Sequence, residues 1–259
     1  MSRPVALLTD FGTKDWFVAS MKGVILSINP SAVIVDITHH ITAGDISSAA
    51  FNLLSCHAFF PNGTIFVAVV DPGVGSSRQA IAVKAGPYFF IGPDNGVLSP
   101  AIDNYYNPEL RSLLNPKYFR KKVSATFHGR DIFAPAAAYL SKGIAFGKLG
   151  PRIKGVVRLT MPLAREVGNK IVGCILYLDH FGNAITNIPS SLLDSKVKYV
   201  SVKGSKVPMA ACYSDVDEGK PLAVIGSCGF VEISVNRGDA ARKMRLKVGD
   251  KVEMINSGK

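Results

Sequence analysis

Apolar residues first gather at 5–9, in a run that breaks off at Asp10-Phe11-Gly12. Behind it Phe17, Met21, Val24, Ile25 and Ile28 return at the spacing of one helix face, and Asn29-Pro30 ends the pattern because proline supplies no backbone donor. The chain then predicts a strand over 33–37, a helix with Ile46, Ala49, Ala50, Leu53 and Leu54 on one side, and an uninterrupted apolar strand over 64–70. This β-α-β-α-β rhythm predicts an α/β fold: an N-terminal α/β domain whose central sheet is mostly parallel, with function at the carboxyl ends of its strands.

Past residue 70 the rhythm changes. Segments 79–84 and 88–91 read as two strands joined by Ala85-Gly86-Pro87, so the sheet is expected to mix directions, and 131–140 reads as a short helix despite Pro135. No periodicity holds over 150–168, where Pro151 and Pro162 fall among scattered charges. The domain linker is placed there, giving an N-terminal domain of 1–164 and a C-terminal domain of 165–259. Short β-branched segments at 171–178, 197–202, 222–225, 230–235 and 251–255, separated by turns, predict a small antiparallel β-barrel or sandwich.

Composition narrows the class. With 259 residues, 47% of them hydrophobic and 19% charged, the chain can build its own core without disulfide staples. No charge-free apolar run reaches the roughly 20 residues of a membrane-spanning helix, and the first apolar run is too short for a signal peptide, so a cytoplasmic protein with no membrane partner is expected. Cys56, Cys174, Cys212 and Cys228 form no C-x-x-C pair and read as reduced thiols; no metal site is expected. The net charge of +11 invites nucleic acid as a partner, but the basic residues at 117–122 and 237–251 come with no recognition-helix, RNA-binding or zinc-finger signature, and nucleic acid is not expected.

Phosphate-loop and H-E-x-x-H patterns are absent, and Gly73-Val74-Gly75 leads into a strand where a dinucleotide fold needs a helix, so nucleoside triphosphates, zinc and NAD lose ground. Three strand ends carry polar residues that packing alone does not explain. Asp10 follows Leu7-Leu8-Thr9 and reads either as a capping residue or as a carboxylate able to accept two hydrogen bonds from a vicinal diol such as ribose. Asp71 and Arg78 stand at the two ends of a glycine-containing loop, and His128 sits just before a helix. An acid, a guanidinium and an imidazole on neighbouring loops could orient a water molecule.

In order along the chain, Leu7-Leu8-Thr9-Asp10-Phe11-Gly12, Val70-Asp71-Pro72-Gly73-Val74-Gly75, Pro93-Asp94-Asn95-Gly96, Phe127-His128-Gly129-Arg130-Asp131 and Asp179-His180-Phe181-Gly182-Asn183 resemble the S-adenosyl-L-methionine hydroxide adenosyltransferases, the hydrolytic relatives of the fluorinases and chlorinases. The resemblance implies an N-terminal α/β domain, a C-terminal β-barrel, and a homotrimer with active sites between subunits. The implied reaction splits S-adenosyl-L-methionine with water into adenosine and methionine, without metal or other cofactor. Asp71, Arg78 and His128 match the family's polar triad and Asp10 its ribose-binding residue. Asp179, Phe181 and Asn183 match the barrel segment that holds methionine and adenine, and Trp16, Ser234 and Asn236 are carried over as further substrate-binding residues.

Halide-using relatives show Tyr at the positions of Asp71 and His128 and carry an extra loop in the first domain, so water is the expected nucleophile here. A halogenase, or a non-catalytic adenosine- or S-adenosylmethionine-binding module, is the alternative. Two roles for the triad stay open on the sequence: a neutral His128 acting as base with Asp71 stabilising the imidazolium, or Arg78 favouring a bound hydroxide while the others orient it.

Overall fold

The computed structural model describes residues 3–194 and 197–255 and resolves into two compact units, one ending at Thr160 and one beginning at Met161. In the first, the elements follow as β1 (Val5–Thr9), α1 (Phe17–Ile28), β2 (Ile34–Thr38), α2 (Ile46–Cys56), β3 (Ile65–Val69), β4 (Ala80–Ala85), β5 (Tyr88–Pro93), α3 (Ser99–Ile102), β6 (Glu109–Ser112) and α4 (Ala134–Ser141). The sheet order is β2-β1-β3-β5-β4-β6. β2, β1, β3 and β5 run parallel, whereas β4 is antiparallel to both β5 and β6.

β3 is apolar throughout and β1 is apolar up to its last residue, Thr9, because both faces of the sheet are covered. Val5 and Leu7 point into a core with Met21 and Ile25 of α1 and the alanine-rich face of α4. Ala6 and Leu8 point the other way, against Ala49 and Leu53 of α2 and Ala101 of α3. α1 ends at Ile28 where Asn29-Pro30 predicted it, and Asp45 caps α2 by accepting from the Ser48 N–H at 2.9 Å. The helix foreseen over 131–140 opens as a π-turn, Gly129–Phe133, and becomes α-helical from Ala134.

The reversal of β4 matters for function. Ala80 pairs with Pro93, so β4 begins at the rim where β1, β2 and β3 end, and one short loop, 70–79, leaves that rim and returns to it.

The second unit contains β7 (Arg165–Val167), β8 (Lys170–Leu178), β9 (Ala184–Pro189), β10 (Tyr199–Val202), β11 (Ser205–Pro208), β12 (Pro221–Ile225), β13 (Phe230–Val235), α5 (Ala240–Met244) and β14 (Lys251–Ile255). Its sheet runs β11-β10-β14-β8-β9-β13-β12 with every neighbour antiparallel and β7 added on β8. A bridge from Met209, just after β11, to Ala223 of β12 brings the two ends together into a nearly closed barrel around Ile171, Val200, Val231 and Val252. β8 turns the corner: 170–174 pair with β14 and 175–178 with β9, and at Gly173 a side chain would collide with Asn187. β7 falls inside 150–168, where no element is predicted; its three residues are all exposed, so hydrophobic periodicity had nothing to mark.

Candidate active site

Asp71 follows β3, and the loop after it folds back through two successive turns, Val74 N–H to Asp71 O at 3.2 Å and Ser76 N–H to Gly73 O at 3.1 Å. Gly75 adopts φ +79°, and a side chain there would collide with the Ala125 carbonyl, so this glycine lets the 71–78 loop press against the segment leading to His128. Arg78 then donates from Nε to both oxygens of Asp71, at 2.9 and 3.0 Å, and from Nη2 to Oδ2. The second Nη2 hydrogen goes to His128 Nδ1 at 2.7 Å. The ion pair is nearly closed to solvent, its side chains 6% and 11% exposed, and the guanidinium also lies 5.4 Å from the centroid of the Phe133 ring.

This geometry fixes the histidine's tautomer. Arg78 only donates, so Nδ1 is the acceptor and the ring proton of neutral His128 is on Nε2. Burial, followed by the Arg78 charge, holds its pKa below the ordinary imidazole value, which keeps the ring neutral at pH 7.

The segment carrying His128 is anchored by Asp131, whose side chain is 0% exposed. It accepts from Arg130 Nε at 2.7 Å and Nη2 at 3.0 Å, from Arg120 Nη1 at 3.2 Å, and from the Ser124 N–H at 2.9 Å. Burial pushes this carboxyl up, but the Arg130 and Ser124 hydrogen bonds outweigh it and hold the pKa at about 2.

Asp71 and His128 line a cavity of about 550 Å³ that also takes in Asp10, Phe11, Phe17, Gly44 and Phe127. Asp10 Oδ2 accepts from the Gly44 N–H at 2.8 Å, and its second oxygen has no partner among the described residues. Trp16 is not on the cavity wall. It stacks on Phe17 at 4.5 Å and meets Phe127 edge-on, with 57% of its surface exposed. The structure therefore gathers Asp10, Asp71 and His128 on one cavity wall, with Arg78 hydrogen-bonded to the last two off that wall and Trp16 behind the aromatic residues.

The second unit carries the remaining candidates. Asp179 closes a tight turn, accepting from the N–H groups of Phe181 and Asn183 at 2.9 and 2.8 Å and from Asn183 Nδ2 at 2.8 Å. Phe181 and Asn183 line a hollow of about 380 Å³ with Tyr213 and Arg237. Ser234 is buried and donates to Glu232 at 2.8 Å, and the Asn236 amide donates to Val216 O at 2.8 Å. Sequence reasoning missed Tyr213 and Glu232. Tyr213 donates to Glu232 at 2.7 Å, and burial together with that carboxylate pushes its pKa up to about 12. Nothing local in the sequence pairs two residues nineteen positions apart. Among the described residues, no group of three or more His, Cys, Asp or Glu side chains is placed to hold a metal ion, and no helix is long and apolar enough to cross a membrane.

Comparison with known proteins is consistent over both units. The family model of the SAM hydroxide adenosyltransferase N-terminal domain matches residues 5–150, and that of the C-terminal domain matches 173–253. The chain is 38% identical to an (R)-S-adenosyl-L-methionine hydrolase of Thermus thermophilus over 98% of its own length and 100% of the relative's. It is 36% identical to one of Salinispora arenicola over 96% and 97%. A fluorinase of Actinoplanes sp. is 27% identical over 95% of each chain. Among solved structures, an uncharacterized conserved protein from Thermotoga maritima superposes with a TM-score of 0.92 at 40% identity, covering 97% of this chain and 100% of that one.

Proposed function

The chain belongs to the SAM hydroxide adenosyltransferase family, and we propose that it hydrolyses S-adenosyl-L-methionine, as the R sulfonium epimer named in its relatives, to adenosine and L-methionine. The observation that carries the mechanism is the single Arg78 guanidinium shared between Asp71 and His128 at the edge of the cavity. The water oxygen bonds to C5′ of the ribose as the C5′–S bond breaks; the electron pair passes to sulfur and discharges the sulfonium. One proton is released to solvent, so cationic substrate plus water balances adenosine, methionine and H⁺.

Arg78 occupies the lone pair of His128, which favours the second of the two triad roles. His128 is then a donor from Nε2 to the water oxygen, Asp71 is the acceptor for a water hydrogen, and Arg78 fixes both and supplies the positive charge that favours hydroxide character. Water held this way keeps a lone pair for C5′, and positioning supplies much of the rate. Asp10 offers its free oxygen to the ribose hydroxyls, while Phe17 and Phe127 present aromatic surface to the sulfonium, a contact of about 0.5–2 kcal/mol each. Asp179, Phe181 and Asn183 are read as the barrel's share of the substrate site, with Trp16, Ser234 and Asn236 as supporting residues. The protein is read as a homotrimer, and its four free cysteines fit a reducing cytoplasm.

Incubation with the R epimer in H₂¹⁸O, followed by mass spectrometry, tests the reaction. The label is expected in the 5′-hydroxyl of adenosine, with no 5′-halo-5′-deoxyadenosine when chloride or fluoride is added. Intact substrate, or a halogenated product, overturns the proposal.

A further inference from the structure

Behind the Asp10 turn lies a second set of polar side chains, buried at Thr9 and His39 and reaching the surface at Asp36 and Lys22, with no part in the chemistry above. β1 and β2 are parallel neighbours, so the turns that leave them lie side by side. His39 opens the second turn and is only 3% exposed. Its Nδ1 is 2.8 Å from Thr9 Oγ1, and its Nε2 is 3.0 Å from Asp36 Oδ1, which the ring N–H meets obliquely. The other oxygen of Asp36 takes the Lys22 ammonium at 2.6 Å. Thr9 Oγ1 in turn accepts from the Phe11 N–H at 3.2 Å, and the His39 carbonyl accepts from the Gly12 N–H at 2.7 Å.

The proton order follows from what each group can do. Asp36 only accepts, so the ring proton is on Nε2; Nδ1 keeps a lone pair for the Thr9 hydroxyl, and that hydroxyl has lone pairs left for Phe11. The donors run inward from Phe11 through Thr9 to the ring, whose Nε2 side faces the Asp36 carboxylate without an aligned hydrogen bond, and Lys22 balances the charge at the surface end. The backbone that leaves Asp10 is therefore held by His39 at two successive residues: Phe11 through the ring and Thr9, Gly12 through the carbonyl.

We propose that His39 is a positioning residue of the ribose site. It locks the 9–12 turn so that Asp10 spends one oxygen on Gly44 and keeps the other on the cavity for the ribose hydroxyls. The inference rests on the reading of Asp10 as the diol-binding residue.

Calorimetric titration with adenosine and with 2′-deoxyadenosine tests both ideas separately. Asp10→Ala is expected to abolish the preference for adenosine; a preserved preference overturns the diol reading itself. His39→Leu and Thr9→Val are expected to cut that preference by about tenfold, the equivalent of one well-placed hydrogen bond, mainly by weakening adenosine. Both should raise KM for S-adenosyl-L-methionine more than they lower kcat, because diol binding acts in ground and transition states alike. If Asp10→Ala loses the preference while the other two keep it, or if both nucleosides weaken equally in them, the positioning role is overturned. Thr9→Val removes only a hydroxyl and decides the matter should His39→Leu fail to fold.

Discussion

Replacing Asp131 by Asn removes one buried negative charge from beneath His128 and leaves its shape in place. The carboxylate is wholly shielded and gathers two guanidinium groups and a backbone N–H. A carboxyl held at about 2 instead of the ordinary 3.9 stores about 2–3 kcal/mol of folding stability, at 1.36 kcal/mol per pKa unit. Because the folded pKa is the lower one, that stability is complete above about pH 5 and drains away as the pH falls through about 2 toward 1. Asn also turns an amide N–H₂ toward donors and leaves Arg130 without its counter-charge, so the cost at pH 7 is expected to be about 3 kcal/mol, the lower end for a broken buried pair. Trp16 is the only tryptophan and lies in the first unit, so urea unfolding followed by its fluorescence reports that unit. The gap between the native protein and Asp131→Asn should be about 3 kcal/mol at pH 7 and narrower by about 1 kcal/mol at pH 3. A gap below 1 kcal/mol at pH 7, or one of equal size at both pH values, refutes the reasoning.

Gly75→Ala should lower kcat at least about 100-fold, since the new methyl group meets the Ala125 carbonyl and drives apart the loops bearing Arg78 and His128; wild-type turnover would show that this contact is not needed. NMR titration of the free protein should place the His128 pKa below the ordinary 6.5, with Arg78→Met raising it and Asp71→Asn lowering it further, and the opposite ordering counts against the assigned contacts. The same depressed pKa predicts a kcat/KM that is level through neutral pH and falls only on its acid side, where a proton on Nδ1 would face the Arg78 N–H. In single-turnover assays Arg78→Met should be more damaging than His128→Asn, because the guanidinium holds both partners; the reverse ranking would restore His128 as the base.

Much of this architecture is legible in the chain because simple patterns coincide with burial. β1 and β3 are buried on both faces and so are apolar but for Thr9 at the end of β1, and α1 shows both its stripe and its stop signal. β9 is harder. Its Thr186 and Asn187 look like turn residues, yet both are buried and satisfied by distant partners, Val231 O for the threonine and Pro162 O and the Cys174 N–H for the asparagine. β6 alternates buried and half-buried positions over only four residues, too few for periodicity to register. The site divides the same way. Asp71 and Arg78 are seven residues apart on one glycine-bearing loop and suggest a pair by themselves, whereas His128 is fifty residues beyond Arg78 and joins them in sequence only as a polar residue before a helix, its place in the triad coming from the family resemblance. His39 gives no signal in sequence, because its role exists only once two parallel strands end at the same rim.

The backward course of β4 has a further consequence. In a wholly parallel sheet the strand after β3 would start at the far edge, and a guanidinium could return to Asp71 only after a long crossover. Here a single eight-residue loop, 71–78, passes the end of β5 and brings carboxylate and guanidinium together, so closing it costs little chain entropy. Residues 71–78 can therefore change without moving any strand of the scaffold.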